Sequence, residues 1–435
     1  MAGLTTLEKY ESYKDSGVEW LGEIPSEWNL TPGFNAYSEN KRDNKGMKED
    51  RVLSLSYGKI IVKPIEKLVG LVPESFETYQ IVEPGDLIIR CMDLQNDKTS
   101  LRTGLSENHG IITSAYLNLK INERFDSKFL YYYLHSLDTT KVLYKFGTGL
   151  RQNLSFQDFY RLPVFDIPKG LQTAIANFLD KKTAQIDEAI AIKEKQIELL
   201  KERKQIIIQQ AVTRGLNPNV PMKDSGVDWI GEIPEHWEVK KMKFIFDKIQ
   251  TGTTPSTSNQ KYFDGDVSWY NPKDLNQGFL GNSEKKVSNL AISHGEAKLF
   301  PENSVLIVGI GATTGKTSYM KKEASFNQQI TGFNTQRENA EYMYFLISTY
   351  SKVMLNVANY TTLPILNNEF FKQFLLLCPP IVEQNKIVIF AKKETQKLEQ
   401  GIVIQQEQIK KLKEYKTTLI NSAVTGKIKV PELME

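Results

Sequence analysis

The sequence predicts a mixed α/β (α+β) protein that is built from two similar modules, each ending in a long helix. A short segment near the start of the chain recurs in its middle, and a long helical pattern precedes this recurrence and appears again near the end. The blocks between these repeats carry short apolar runs bounded by turn residues, which are typical of strands. With 435 residues, of which 40% are hydrophobic, the chain is long enough for roughly two to four packed domains. We therefore expect a pseudo-two-fold architecture with two similar but unequal working surfaces.

The composition argues against several classes of protein. The two cysteines, Cys91 and Cys378, lie far apart and flank no metal-binding spacing, which is typical of a reducing compartment. The sequence shows neither a signal peptide nor an apolar run of membrane-spanning length, so we expect a cytoplasmic protein. A net charge of +3 neither demands nor excludes an anionic partner. A histidine-built zinc or catalytic centre is not expected, because the four histidines are isolated: His109, His135, His236 and His294.

The short repeat, which we call the frame repeat, is nearly identical in its two copies. Residues 14–28 have the sequence KDSGVEWLGEIPSEW and residues 223–237 have KDSGVDWIGEIPEHW. The blocks that follow match only faintly, and we call them the first block (29–166) and the second block (238–378). The predicted segments are the N-terminal frame repeat (1–28), the first block (29–166), a central long helix (167–215), a linker with the second frame repeat (216–237), the second block (238–378) and a C-terminal long helix (379–435).

The two blocks nevertheless carry the same order of sequence features. Each has an apolar run after a proline and an acidic residue, VEPGDLII in one and FPENSVLIV in the other. Each later has an aromatic, helix-like segment, FLYYYLHSL or YMYFLISTY, and then a polar turn with an aromatic pair, LRQNLSFQDFY or TTLPILNNEFF. The pattern indicates one module whose frame is kept and whose middle has diverged.

The two long helical segments carry matching heptad seams. Apolar residues alternate at three- and four-residue steps, which predicts a coiled-coil face. Polar residues interrupt both seams at matched places, Lys193 with Gln405 and Lys204 with Lys416, which favours mutual packing in a set register over separate packing of each helix on its own domain. A helix of this kind is roughly 60 Å long. If the two blocks bound DNA, such a spacer would hold them on the order of 15 base pairs apart at most. The predicted seam positions are Leu179, Ile186, Ile190, Ile197, Leu200, Ile207, Leu398, Ile402, Ile409, Leu412 and Leu419.

The stretch GIGATTGKTS, residues 309–318, resembles a phosphate-binding loop but has the wrong spacing. The motif needs a glycine five residues before Gly315, and that position is Ile310. The segment that follows also lacks the apolar spacing of the helix that should hold the phosphates. We expect a tight turn between two strands, where glycine permits unusual backbone conformations.

Neither block contains an evident catalytic constellation. No Ser or Cys nucleophile with a histidine partner is recognisable, and the Asn/Asp-Pro-Pro-aromatic run of adenine methyltransferases is missing. Glu238 and Lys240 form the acid-x-Lys pattern of some metal-dependent nucleases, but this short pattern recurs by chance, as in residues 414–416. A nuclease site there is therefore disfavoured.

The polar loops of the blocks are better suited to binding nucleic acid. Arg and Lys recognise guanine edges, Asn and Gln recognise adenine, and Ser, Thr and Lys hold phosphates. The alternative is a set of ordinary solvated loops, which is the more common situation for any single residue. The duplicated arrangement favours DNA binding for the set, whose predicted members are Tyr57, Lys59, Arg90, Arg102, Arg151, Gln152, Thr253, Thr254, Ser256, Asn271, Lys273, Lys316, Thr361 and Thr362.

These features together resemble the specificity subunit of type I restriction-modification systems. The resemblance covers essentially the whole chain and rests on both frame repeats, GTTPS with WYNPKDL, VLIVGIGATTGKTS, FLDKKTAQID and the helix endings AVTRGL and AVTGKI. The first block lacks the GTTPS opening and has YQIVEPGDLIIRCMDLQ instead, so DNA contacts cannot be transferred from one block to the other.

The resemblance implies two target-recognition domains joined by two long antiparallel helices, with each domain recognising one half of a split DNA site. It also implies two methyltransferase subunits, which use S-adenosylmethionine to methylate adenine, and restriction subunits with the ATP- and Mg-dependent activities. This chain is then expected to hold no cofactor and no catalytic centre. The frame repeats and outer helix faces are candidates for subunit docking, although Trp20, Trp28, Trp229 and Trp237 could equally pack each frame onto its own domain. The competing hypothesis is a self-contained nuclease or methyltransferase.

Overall fold

A computed structural model describes residues 8–64, 66, 75–94, 101–146, 152–276, 278–358 and 365–431. The chain forms two compact units. The first unit comprises Met1–Glu194 and Gln406–Glu435, and the second comprises Lys195–Gln405. Each unit thus includes one block, one frame repeat and part of both long helices. The segment boundaries predicted from the sequence stay predictions.

The first unit contains twelve of the described strands. They are β1 (Tyr13–Asp15), β2 (Glu23–Pro25), β3 (Asn29–Pro32), β4 (Tyr37–Glu39), β5 (Leu53–Ser56), β6 (Lys59–Val62), β7 (Gln80–Val82), β8 (Leu87–Ile89), β9 (Thr103–Leu105), β10 (Gly110–Ile112), β11 (Leu117–Ile121) and β12 (Pro163–Asp166). Its short helices are α1 (Ser127–Thr139) and α2 (Phe156–Tyr160), and the long helix α3 (Lys169–Arg214) begins here.

The second unit contains the remaining described strands. They are β13 (Met222–Asp224), β14 (Glu232–Pro234), β15 (Glu238–Lys241), β16 (Lys248–Thr251), β17 (Val267–Tyr270), β18 (Lys285–Val287), β19 (Ser304–Val308), β20 (Thr317–Met320), β21 (Ser325–Phe326), β22 (Ile330–Asn334) and β23 (Leu375–Cys378). Its helices are α4 (Met242–Ile245), α5 (Asn289–Ser293), α6 (Ala340–Val357), α7 (Asn368–Gln373) and the start of α8 (Ile381–Val424).

The two blocks share one sheet topology. Each has a four-stranded antiparallel sheet, with order β4-β11-β8-β9 in the first and β16-β22-β19-β20 in the second. In both, the first strand in chain order pairs with the last, and the last pairs with the second. The apolar runs that the sequence marked as equivalent are the buried strands β8 and β19, and the aromatic segments are the helices α1 and α6. The predicted α/β class and the shared order of features are confirmed.

A buried glutamine joins the start of each long helix to the short helix of its block. Gln172 Oε1 accepts from the amide of Asp126, the N-cap of α1, at 2.9 Å, and Gln172 Nε2 donates to the Ile167 carbonyl at 2.7 Å. Gln384 does the same in the second unit, where it accepts from Asn339, the N-cap of α6, at 2.9 Å. Both glutamines are fully buried. Because a buried amide without partners is costly, this pair fixes where each block joins its helix.

Each frame repeat packs against the end of a long helix. Trp28 is buried beside Gly426, which lies two residues after the end of α8 and has a φ of 71°. Trp237 is buried beside Gly215, which directly follows α3 and has a φ of 77°. A Cβ on Gly426 would lie 2.5 Å from Pro25, so glycine is needed both for the turn and for the close approach. For Trp28 and Trp237, the structure favours packing of the frame within its own unit over subunit docking.

The two long helices run antiparallel within each unit. In the first unit, Lys416 Nζ contacts the Asp187 carboxylate at 2.7 Å and Lys193 Nζ donates to Gln408 Oε1 at 2.5 Å. In the second unit, Lys204 Nζ donates to Glu399 Oε1 at 2.5 Å. Lys204 and Lys416 are 212 residues apart, as are Asp187 and Glu399, so the two ion pairs are copies of one contact.

The predicted seam positions are all buried or half-buried. The charged residues between them are mostly exposed. The buried seam residues are Leu179, Ile186, Ile190, Ile197, Ile409 and Leu419, and the half-buried ones are Leu200, Ile207, Leu398, Ile402 and Leu412. Among the described residues, no helix is both long and apolar enough to span a membrane.

Candidate nucleic-acid interface

Polar loops of the second block meet at one edge of its sheets. β17 and β21 pair in parallel, so their carboxyl ends, Tyr270 and Phe326, lie side by side. The Thr253 amide donates to the Phe326 carbonyl at 2.9 Å, and the Asn327 amide donates to the Tyr270 carbonyl at 3.0 Å. We call this surface the second edge; it comprises residues 252–256, 271–274, 309–316, 327–329 and 365–369.

The 309–316 turn is part of the second edge and does not form a phosphate-binding loop. It joins β19 to the antiparallel strand β20, with no helix following it. Gly311 and Gly315 have φ values of 112° and 89°, and a Cβ on Gly309 would lie 2.6 Å from the Leu366 carbonyl oxygen. The predicted strand-to-strand turn is confirmed, and the three glycines have the backbone role expected of them. Lys316 lies half-buried at the end of this turn.

Several predicted residues of the second edge also hold the loops together. Thr253 Oγ1 accepts from the Lys298 amide at 3.2 Å, and the exposed Thr254 hydroxyl bonds to the Gln328 side chain. The Ser256 amide donates to Glu296 Oε2 at 3.1 Å. These contacts position the loop and leave the Thr254 and Ser256 side chains exposed.

Two further predicted residues lie after β17. The Asn271 amide donates to Asp274 Oδ2 at 2.7 Å in a capping box that starts a short 3-10 turn. The exposed Lys273 ammonium pairs with Glu284, and this hydrogen bond raises the pKa of Lys273. A surface pair of this kind exchanges easily for a phosphate, because exposed ion pairs contribute little to stability.

Sequence reasoning missed the amide side chains of the second edge. Gln328, Gln329, Asn367 and Asn368 line a cavity of about 330 Å³ together with Thr251 and the start of the glycine turn. The Gly309 amide donates to the Gln329 carbonyl at 2.7 Å, which brings the two loops together. The runs NQQ and NN were the available signal, because paired amides in turns are suited to adenine recognition.

The first block has an equivalent edge after β8. The Leu154 amide donates to the Cys91 carbonyl at 2.8 Å, as the Leu366 amide donates to the Gly309 carbonyl at 2.8 Å in the second block. The Asp93 amide donates to Asn153 Oδ1 at 2.8 Å. We call this surface, residues 90–94 and 152–154, the first edge. It includes the predicted residues Arg90 and Gln152, which are both half-buried.

Tyr57 and Lys59 lie on the hairpin of β5 and β6. Tyr57 has a φ of 48° and Gly58 a φ of 78°, which is the pattern of a two-residue type I′ turn. A bulky residue with positive φ is uncommon, and here it keeps a tyrosine 74% exposed at the tip. Arg151, Thr361 and Thr362 lie outside the described residues.

Among the predicted contact residues that the structure describes, Arg102 is the one that it contradicts. Its side chain is fully buried next to the start of β9, where the guanidinium donates to backbone carbonyls and lies 5.7 Å from the centre of the Tyr144 ring. A buried guanidinium cannot approach a base edge. The error arose because the sequence places Arg102 in an apparently polar stretch, RCMDLQNDKTSLRTG, while the sheet turns its side chain inward.

The acid-x-Lys pattern has an ordinary structural explanation. Glu238 and Lys240 lie two residues apart on strand β15, and their side chains form an ion pair at 2.6 Å. This contact lowers the pKa of the Glu238 carboxyl. Among the described residues, no group of three or more His, Cys, Asp or Glu side chains could hold a metal ion. Burial raises the pKa of both thiols, Cys91 and Cys378, to about 12, which leaves them poor nucleophiles.

Comparison with known proteins shows a similarity to specificity subunits of type I restriction enzymes. Residues 234–414 match the model of the type I restriction modification DNA specificity domain. The specificity subunit of type I restriction enzyme MjaIX from Methanocaldococcus jannaschii is 30% identical over 36% of this chain and 38% of its own length. The EcoR124I/EcoR124II specificity subunit from Escherichia coli is 25% identical over 60% of this chain and 61% of its own length. The match thus spans less than two thirds of these two relatives, whereas the putative MjaX specificity subunit of M. jannaschii is 21% identical over 99% of this chain and 100% of its length.

Solved structures share the fold. A chain from a structure of complex assembly and conformational transition in the type I R-M system superposes with a TM-score of 0.71 at 14% identity, over 93% of this chain and 99% of that chain. The HsdS subunit from Thermoanaerobacter tengcongensis superposes with a TM-score of 0.52 at 13% identity, over 93% and 98% of the two chains. Residues 234–414 thus resemble the DNA specificity domain of type I restriction-modification systems, and the chain shares its fold with solved chains from such systems.

Proposed function

We propose that the chain is the DNA sequence-specificity subunit of a type I restriction-modification complex and that each block recognises one half of a bipartite, asymmetric site. The observation that carries this proposal is the pair of equivalent edges. The first and second edges follow equivalent strands, β8 and β19, and are held by the same backbone hydrogen bond. Their side chains differ, with Arg90 and Gln152 on one and Thr254, Gln328 and Asn367 on the other. Two equivalent scaffolds with unlike side chains are suited to two unlike half-sites.

The long helices are proposed as the spacer between the half-sites. α3 has 46 residues and α8 has 44, which corresponds to a length of about 65–70 Å for each. The copied ion pairs, Lys204 with Glu399 and Lys416 with Asp187, supply one register contact in each unit. A spacer needs a fixed register between its helices, because slippage by one helical turn would shift one DNA-recognising block by about 5 Å.

The partners are proposed to be double-stranded DNA, two methyltransferase subunits and the restriction subunits. Adenine-N6 methylation with S-adenosylmethionine and the ATP- and Mg-dependent reactions would take place on those partners, and this chain would act as a cytoplasmic, non-catalytic scaffold. A docking face is available within the second unit, where Leu199, Ile206, Val403 and Ile404 are 44–52% exposed on the long helices. Apolar residues exposed on helix surfaces are suited to packing by a partner helix.

Exchange of the second block tests the proposed function. Residues 238–378 are replaced by the block of another family member, and the methylated sites of a host that expresses the native partner subunits are sequenced. We expect one half of the methylated site to change, with the other half and the gap retained. Changes in both halves would contradict the modular assignment, and DNA cleavage or methylation by the purified chain alone would contradict the non-catalytic role.

A further inference from the structure

The buried side chain of Arg102 holds the backbone of the first edge through hydrogen bonds to its carbonyl groups. Its Nη1 donates to the Met92 carbonyl at 2.7 Å and to the Arg90 carbonyl at 3.2 Å, and Nη2 donates to the Asp93 carbonyl at 3.0 Å. The planar guanidinium presents several donors in a fixed fork, so one side chain can orient three carbonyls of a loop. The Asp138 carboxylate accepts from the Arg102 amide at 2.8 Å, which anchors the arginine to α1.

The loop that Arg102 holds would not keep this shape unaided. Asp93 has a φ of 54° and Gln152, to whose carbonyl the Leu94 amide donates at 3.3 Å, has a φ of 48°. Non-glycine residues keep a positive φ only where the surrounding contacts hold the backbone in that conformation. In the second block, the turn after the equivalent strand β19 has its positive φ values at glycines, Gly311 and Gly315. The first block thus uses an internal arginine where the second uses glycine.

We propose that Arg102 is the positioning residue of the first edge and that it sets DNA sequence selectivity for one half-site without touching the DNA. This inference rests on the proposed function. By holding the carbonyls of residues 90, 92 and 93, Arg102 fixes the direction in which the Arg90 side chain leaves the loop. It also sets the position of the adjoining segment that carries Gln152. The second edge is built without this arginine and does not depend on it.

The test compares Arg102→Met and Arg102→Lys in the full-length chain, assembled with the partner subunits of its native complex. Dissociation constants are measured for duplexes with the intact site, with the first block's half altered and with the second block's half altered; the block exchange assigns the halves. Val164→Ala is the control, because Val164 is a buried residue of β12, a strand that pairs with β3, and its truncation destabilises the same unit without touching the loop. Thermal unfolding midpoints show whether the variants are destabilised to a similar degree.

We expect Arg102→Met to lower discrimination at the first block's half-site by about tenfold or more and to change the other half-site by less than about twofold. Arg102→Lys should fall between, because one ammonium nitrogen cannot span three carbonyls. Equal losses at both half-sites, or equal behaviour of Arg102→Met and Val164→Ala, would overturn the inference alone. Absence of any sequence preference in the wild-type complex would overturn the proposed function and the inference with it.

Discussion

The two blocks solve one structural problem in two ways. Both place a loop after a buried central strand and hold it with the same backbone hydrogen bond, Leu154 to Cys91 in one and Leu366 to Gly309 in the other. The first block stabilises its loop with the guanidinium of Arg102, and the second with the conformational freedom of its glycines. The comparison teaches that hydrogen-bonded framework positions are preserved between the blocks, whereas the means of shaping the loop is free to vary.

The same contrast appears where each block meets its long helix. Lys128 of α1 pairs with Asp180 of α3, and at the equivalent positions Glu341 of α6 pairs with Lys392 of α8, so the charges are reversed. Both units therefore have an ion pair at this position, but the acidic and the basic residue have changed places. The buried glutamines Gln172 and Gln384 are, by contrast, identical, because only a side chain with both a donor and an acceptor can satisfy the groups they contact.

Replacement of the buried glutamines should have the largest effect. Gln384→Leu leaves the Asn339 amide and the Pro379 carbonyl without this partner, and Gln172→Leu does the same to the Asp126 amide and the Ile167 carbonyl. We expect each to lower the free energy of unfolding of its own unit by about 2–4 kcal/mol. Denaturant unfolding combined with hydrogen exchange measures the loss in each unit.

The exposed Gln209 of α3 provides the control for these substitutions. Gln209→Leu should change stability by less than about 0.5 kcal/mol. A loss for Gln384→Leu no greater than this, or one spread evenly over both units, would show that the two glutamines are not equivalent anchors.

Acid should distinguish the units next. Burial, together with the nearby Lys416 charge, lowers the pKa of His135 from 6.5 to about 4. The fold therefore favours the neutral imidazole, so this stability is fully present above pH 6.5 and is lost as the pH falls towards 4. For this histidine alone, we expect the first unit to lose about 2 kcal/mol between pH 7 and pH 5.

A substitution taken from the second unit isolates this effect. Ser348 is at the position of α6 that corresponds to His135 of α1, and its hydroxyl bonds to Thr317 at 2.6 Å. His135→Ser should remove the step between pH 7 and pH 5 from the unfolding profile of the first unit. If the step persists in the variant, another group is responsible for it.

The reversed ion pairs should give the smallest effect. Lys128 and Asp180 are both partly exposed, so their pair is worth less than about 1 kcal/mol. Lys128→Glu alone should destabilise the first unit slightly, and Lys128→Glu with Asp180→Lys should restore it, since the double variant has the polarity of the second unit. A double-mutant cycle in denaturant, repeated at high salt, measures the coupling; zero coupling at low salt would mean that the pair is not a preserved contact.

The features that repeat were predictable, and the features that face inward were not. The heptad seam, the strand-to-strand turn at 309–316 and the equivalence of the aromatic helices α1 and α6 follow from periodicity and glycine placement, which are local properties of the sequence. The burial of Arg102 and the grouping of Gln328 with Asn367 depend on strand pairing across many residues. No local pattern determines on which side of a sheet an arginine lies when its neighbours are polar.

The central claim, that two equivalent edges recognise two different half-sites, is tested most directly by selection from a pool of randomised DNA duplexes. The full-length chain, assembled with the proposed partner subunits, is used as wild type and as Gln328→Ala in the second edge. We predict that the wild type selects duplexes with two short DNA half-sites separated by a fixed gap. The variant should lose sequence preference within one half-site only and keep both the other half-site and the gap. Selection of a single half-site, or loss of preference in both half-sites on substitution of Gln328, would contradict the account.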